Sequence, residues 1–430
     1  MSGFYSNRLG IERSELGDRL PWFTDILCIL LSAVYLNQLF RLTPNLPQMI
    51  YYGVVIALNC LILATVTLKG FAPWMPMWIF WLLMWFSILV NWGEDIAVFK
   101  APYRTISFLA VQLVVAPFFR SRQLTIIRER VFDILNTLIL FMAMLSFMGR
   151  VFQFFPSDNN GYYLGCTWHS MDLAAIMGIA SIYAMHCVTA ARNNLKIRNI
   201  YIACFVASFL VLLLSSSRTT LISCTIALLV YWGCGASQSM SRIIKPTILI
   251  CLMIYGLSLA FPDAFQGVLR KSMSSTNEVT MESFTNSRAA IWNSRIQEIK
   301  EYPFFGTGAH TVRYDKFGGS GQIEPGNAWL YIFSSMGVFQ FMLFCSMMGK
   351  AVIHCRTFAK PGRKSSFILA LLVYFGLYMV GEAHITAAGE FTCVYFWLLL
   401  SVAVMLEMRK DAMNGNRPVE LPGNSGLLGR

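Results

Sequence analysis

The sequence predicts an all-α polytopic membrane protein, and three observations carry that prediction. Of its 430 residues 56% are hydrophobic and only 13% charged, whereas soluble domains carry about 25% charged residues. The mean hydropathy is +0.56. The apolar residues also gather into runs near the length of about 20 that a bilayer-spanning helix needs.

About twelve runs read as spans: 22–40, 48–68, 72–91, 104–119, 131–154, 171–190, 198–215, 219–235, 244–261, 327–349, 365–383 and 388–408. The polar start, with Arg8, Arg13 and Arg19, reads as no cleavable signal, because the first apolar run comes late and has spanning length. Alternating the loops sorts the cations. Arg120, Arg122, Arg128 and Arg130 fall on one side, with Arg192, Lys196, Arg198, Arg242, Lys245, Lys350, Arg356, Lys360, Arg363, Lys364, Arg409 and Lys410. The positive-inside rule makes that side cytoplasmic. Both termini then lie inside, and the chain divides into spans over 1–261, an outward loop domain over 262–326, spans over 327–408 and a disordered tail over 409–430. The loop, between the ninth and tenth spans, is the one large outward segment.

The net charge of +12 belongs to those cytoplasmic loops and predicts no nucleic-acid partner. Most of the 11 cysteines sit in apolar runs as small hydrophobes. Cys166 alone falls in an outward loop, with no CxxC pair and no zinc spacing. Ionisable residues are sparse at the span centres, which argues against a proton-coupled transport path.

Cations on the outward side break the charge rule. Arg218 lies in the short turn Ser215-Ser216-Ser217-Arg218-Thr219-Thr220; Lys100 and Arg104 flank Ala101-Pro102-Tyr103; Arg288 lies in the long loop. Each is either a snorkelling cation on lipid phosphate or part of an anion clamp, for which the arginine fork suits phosphate oxygens. Such cations at a membrane face suit a lipid diphosphate. Within the loop, Ile291, Trp292, Ile296 and Ile299 recur at helical spacing, with Asn286 or Ser287 as cap and Pro303 as stop; Trp292 then reads as part of a packed face. Gly306 and Gly308 permit a tight turn. His169, His310 and Glu382 lie on the outward side as candidate proton acceptors, with Glu324 as a rival. Tyr162, Tyr163, Trp168, Tyr302 and Tyr314 could stack on sugars or serve as belt and core. The sequence carries no P-loop, Gly-x-Ser-x-Gly, HExxH or Asp-x-Asp motif, so neither metal nor cofactor is expected.

Taken in order, outward Ser-Arg-Thr, then Ser287-Arg288-x-x-x-Trp292, then Pro303-x-x-Gly306-x-Gly308, then Asn327-x-x-Leu330 resembles the O-antigen ligase and polysaccharide polymerase superfamily. Gly165–Ala174 and Trp92–Arg104 are similar to two earlier motifs of that family. The resemblance implies a GT-C-like bundle with an outward loop domain at a bacterial inner membrane. It implies transfer of glycan from a polyprenyl-diphosphate-linked oligosaccharide, with Arg218 and Arg288 on the diphosphate. Membrane lipids, a chain-length regulator and export machinery are the further partners it suggests. The family's ligases place a histidine directly before the asparagine matched to Asn327; here that residue is Gly326, which shifts the expectation toward a Wzy-type polymerase. A ligase acting on lipid A-core and a flippase without chemistry are the alternatives.

Overall fold

The computed structural model describes residues 21–66, 71–92, 100–155, 157, 162–233, 248, 255–256, 281–311, 326–360 and 362–413, without the side chains of 100, 281–288, 290, 384 and 407–413. Most of the predicted span 244–261 and of the 262–326 stretch lies outside these residues, as does the tail from 414.

The described chain is helical, in the order α1 Trp22–Asn37, α2 Gln48–Thr65, α3 Met75–Val90, α4 Lys100–Gln112, α5 Arg122–Val151, α6 Ser170–Ala190, α7 Leu195–Leu214, α8 Arg218–Gly233, α9 Met281–Glu301, α10 Ala328–Phe358, α11 Lys364–Tyr378 and α12 Phe391–Met413. A 3₁₀ turn covers His384–Thr386, and β1 (Ala72–Pro73) pairs antiparallel with β2 (Phe119–Arg120). Every predicted span except 244–261 has a helix on it. Among the described residues, α2, α5, α6, α7 and α10 are long and apolar enough to cross a membrane.

Local chemistry sets several boundaries. Pro21 and Pro47 precede α1 and α2, and Pro76 stands in the first turn of α3, where a missing N–H costs nothing. Asn194 and Asn327 cap α7 and α10 through their side-chain oxygens. Helix α12 is apolar all round and is enclosed accordingly: every residue from Phe391 to Met405 is buried. By contrast α1, α2 and α3 expose Ile29, Leu30, Met49, Leu61, Leu82 and Phe86, a surface for hydrocarbon rather than water.

Contacts divide the helix termini between two ends. At one end Arg130 pairs with Asp25 at 3.0 Å and Lys364 with Asp133 at 2.8 Å. Arg128, expected as a loop cation, is instead wholly buried inside α5, which starts nine residues before the predicted span. Its guanidinium donates to the carbonyls of Val114 (2.6 Å), Ala116 (2.6 Å) and Phe119 (2.9 Å). Those carbonyls follow the end of α4, where helical partners run out. Arg128→Met removes the donor that these three carbonyls share and is expected to cost about 2–3 kcal/mol. A lowered melting temperature in detergent, with membrane insertion retained, is the check.

Helix α10 is broken. Gly337 sits at φ 80°, ψ 177°, outside any helical geometry. Aromatic rings on either side meet across the angle: Phe333 stacks on Phe341 with centroids 5.0 Å apart, and Trp329 meets Phe344 at 5.4 Å. In a straight helix the latter pair would stand roughly 22 Å apart along the axis. The segments before and after Gly337 therefore fold toward each other. The later segment, 338–358, is about 31 Å long, close to the hydrocarbon thickness.

Candidate functional site at one end of the bundle

The strap Tyr302–Thr311, which follows α9, fills the break in α10. Gly337 interrupts the hydrogen-bond ladder, and strap backbone restores it. Thr307 N–H donates to Ser334 O and Gly308 N–H to Ser335 O, both at 2.9 Å, while Val338 N–H donates to Pro303 O at 2.9 Å. Irregular backbone inside a membrane protein needs such internal partners. The approach admits only glycine at two crossings. A β-carbon on Gly337 would stand 2.0 Å from Phe304 O, and one on Gly306 would stand 2.3 Å from Ser335 C. Helix α3 holds the strap's other side: Asn91 Nδ2 donates to Gly306 O (3.1 Å), and Ala309 N–H donates to Ser87 Oγ (3.0 Å). Gly306 and Gly308, expected in an outward turn, are thus buried in the bundle.

His310 is the last but one residue of this strap, 3% exposed and at φ +58°, a left-handed conformation that a non-glycine residue adopts only at a cost. Its backbone N–H donates to the Tyr331 hydroxyl at 3.2 Å, and its Nδ1 lies 3.3 Å from the same oxygen. Tyr331 is one turn into α10 from the cap Asn327, whose Oδ1 accepts from Leu330 N–H at 3.0 Å. Gly326, at φ +59°, stands where the resemblance expects a histidine, and the buried imidazole near this helix start comes from His310.

Helix α9 packs a charged pair here. Arg295 Nη1 bonds Glu298 Oε2 at 2.7 Å, both side chains 5% exposed, and the Arg295 guanidinium lies 5.9 Å from the Tyr331 ring centroid. The spacing of Ile291, Trp292, Ile296 and Ile299 pointed to an apolar buried face. Instead Ile296 is exposed, Trp292 is half-buried with no hydrogen-bond partner for its Nε1 among the described residues, and the buried positions are Arg295 and Glu298. Asn286 and Ser287 lie inside α9 rather than capping it, while Pro303 does follow its end.

The remaining expected residues divide. Arg104, half-buried on α4, brings its charge within reach of Tyr331 and Tyr52, and Thr386 also reaches the Tyr331 hydroxyl. Arg218 is the first residue of α8, half-buried, after a turn in which Ser216 takes φ +57° and Ser217 Oγ lies 2.8 Å from Thr220 Oγ1. A β-carbon on Gly381 would stand 2.5 Å from Thr219 Oγ1, so this turn abuts the segment after α11. Glu382 in that segment is 6% exposed, and its main-chain oxygen accepts from Ala328 N–H at 3.1 Å. The Arg218 turn, Glu382, the start of α10, Tyr331, His310, Arg295 and Arg104 are thereby joined at one end. His169 is exposed at the start of α6, whose Asp172 lies within electrostatic reach of Tyr378. The Arg288 and Lys100 side chains are outside the described residues, as are Glu324 and Tyr314.

Two residues expected in an outward loop, Tyr163 and Cys166, are buried. Tyr163 is buried with its hydroxyl donating to Ser146 O at 2.6 Å. Burial pushes the Cys166 thiol up to about 11, eased by a hydrogen bond from Ser146, so it is no ready nucleophile. Tyr331, Arg295, Glu298 and Gly337 escaped sequence reasoning. The opposite charges at Arg295 and Glu298, three apart on a helix, are the one signal that pointed to a pair.

Residues 203–345 match the family model described as O-antigen ligase. That segment contains the Arg218 turn, α9, the strap and the broken start of α10. The chain matches no curated relative.

Proposed function

We propose, from the similarity of residues 203–345 to the O-antigen ligase and Wzy-type superfamily, that this membrane protein transfers glycan from a polyprenyl-diphosphate carrier. The reading in full is a polymerase that joins lipid-linked oligosaccharide repeat units at the periplasmic face of the inner membrane. The observation that supports it is that the Arg218 turn, the Glu382 segment and the Tyr331 neighbourhood, with Arg104, Arg295 and His310, are linked at one end of the bundle. A diphosphate placed there would meet guanidinium forks and the positive end of α8. Glycosyl transfer develops positive charge on the sugar ring and negative charge on the leaving group. Arginines held in a low-dielectric setting stabilise the departing diphosphate. Arg288, on α9 before Arg295, and Lys100, at the start of α4, are proposed as further diphosphate contacts on the strength of the motifs. The basic end, with Arg130 and Lys364, would face the cytoplasm. A chain-length regulator and export machinery would act alongside.

A ligase that passes the finished glycan to a separate acceptor such as lipid A-core is the second reading, favoured by the description of the matching family. Reconstitution separates the two. Purified protein in liposomes, given a polyprenyl-diphosphate oligosaccharide, is expected to yield a ladder of lipid-linked oligomers by mass spectrometry. Product formed only after a second acceptor is added selects the ligase. Unchanged donor that has crossed the bilayer selects a flippase and rejects both.

A further inference from the structure

We infer that Tyr52 and Tyr103 form a binding site for a sugar ring of the lipid-linked glycan, with Glu390 and Gln48 taking its hydroxyls; the inference rests on the glycan-transfer reading above. Tyr103 and Arg104 are neighbours in the first turn of α4. Their side chains divide. Tyr103 is 47% exposed, while Arg104 is half-buried and brings its charge within reach of Tyr331 and of Tyr52. The tyrosine cleft therefore begins one residue from an arginine of the candidate diphosphate site. In a sugar diphosphate the anomeric carbon is one oxygen away from phosphorus, so the ring must lie directly beside whatever holds the phosphate.

The surrounding chain holds the cleft in shape. Tyr52 and Tyr103 meet edge to face, with centroids 6.1 Å apart and planes at 77°. Tyr51, 1% exposed, packs on the Tyr52 ring at 5.4 Å and anchors it to the bundle. The Tyr52 hydroxyl lies within hydrogen-bond reach of exposed Gln48, one turn earlier on α2. A β-carbon on Gly389 would stand 3.2 Å from that hydroxyl, so α2 abuts the segment before α12. The next residue, Glu390, is half-buried and within electrostatic reach of Tyr51.

These groups suit a sugar. A tyrosine is a rigid, amphipathic contact ordered at small entropic cost, and its ring face can meet the C–H face of a pyranose. A carboxylate accepts strong hydrogen bonds from hydroxyls, and a glutamine amide both donates and accepts. An interfacial belt is the other use of tyrosines at a membrane surface. Glu390 does not fit that use, because lipid phosphates would repel a carboxylate.

The test uses the free repeat-unit oligosaccharide, released from its carrier by mild acid, and purified protein in a detergent without a sugar head group. Saturation-transfer NMR with wild type is expected to mark the sugar-ring protons. Tyr103→Ala is expected to lose most of that transfer, and Tyr103→Phe, which keeps the ring, to retain it. No transfer in wild type, or equal transfer in Tyr103→Ala, overturns the site. In the reconstituted reaction Tyr103→Ala should raise KM about tenfold with kcat within about twofold of wild type, and Glu390→Gln should raise KM about fivefold. Titrating the free oligosaccharide as acceptor at fixed donor tells the two rings apart. A rise in its KM puts the acceptor's sugar in the cleft and a rise in the donor's KM puts the donor's there; either supports the site. Unchanged KM values with a lowered melting temperature would make the tyrosines an interfacial anchor and overturn it. Should Tyr103→Ala fail to insert, Tyr103→Leu removes the ring but keeps apolar bulk, and the same outcomes decide. Wild-type protein that binds the oligosaccharide yet leaves the donor untouched rejects glycan transfer and keeps the sugar site, so the two failures are separable.

Discussion

Arg218→Ala is expected to lower glycan transfer by about 10²–10³-fold, the loss typical of removing one preorganised donor from a developing anion. The protein should still reach the membrane, because Arg218 is half-buried at a helix start and not part of the α12-centred core. Arg218→Lys keeps the charge and loses the planar fork, so it should recover only part of the activity. Product chain length from cells carrying each variant is the simplest readout, with membrane abundance measured alongside. A normal polymer distribution in Arg218→Ala would remove this arginine from the mechanism.

Gly337→Ala should have the largest effect on stability, about 2–6 kcal/mol. Two costs combine: a non-glycine residue at φ 80°, ψ 177°, and a methyl group 2.0 Å from the Phe304 carbonyl oxygen. That sum approaches the whole stability of many domains. Gly349 in the same helix is the matched control, since a β-carbon there meets nothing within 4 Å. The expected outcome is a sharp loss of folded material for Gly337→Ala and near wild-type melting for Gly349→Ala. Equal melting temperatures for the two variants would mean that the break in α10 does not depend on this glycine.

Helix positions were legible in the sequence because bilayer thickness imposes a length on apolar runs, and helices lie on the predicted ranges from Trp22 onward wherever the chain is described outside 244–261. Arg128 shows a limit of reading cations from sequence. A guanidinium that clamps three carbonyls looks the same in sequence as one in a loop. The break at Gly337 was hidden, since Met336-Gly337-Val338 sits inside a predicted span, and glycine is common in membrane helices. Its partner, the Pro303–Gly308 strap, was visible as a turn, but a turn signal says nothing about what the turn is threaded into. For the candidate site, Glu382, Arg104 and Arg218 stood out as polar residues at span ends, and His310 stood out after the Gly306–Gly308 turn of the loop. Tyr331 and Arg295, with its partner Glu298, were missed because their placement comes from contacts between residues 21 and 36 apart, which periodicity cannot encode.

The strap has a consequence for how such a protein can diversify. The chain leaves the site at Thr311 and returns at Gly326, and both exits are tied to the start of α10: Gly308 to Ser335 and His310 to Tyr331 on one side, the Asn327 cap on the other. Joining two points already held in place makes the length of the intervening chain energetically minor, with each doubling costing only about 0.6 kcal/mol. Residues between these anchors can be inserted, lost or exchanged while the bundle and the strap stay intact.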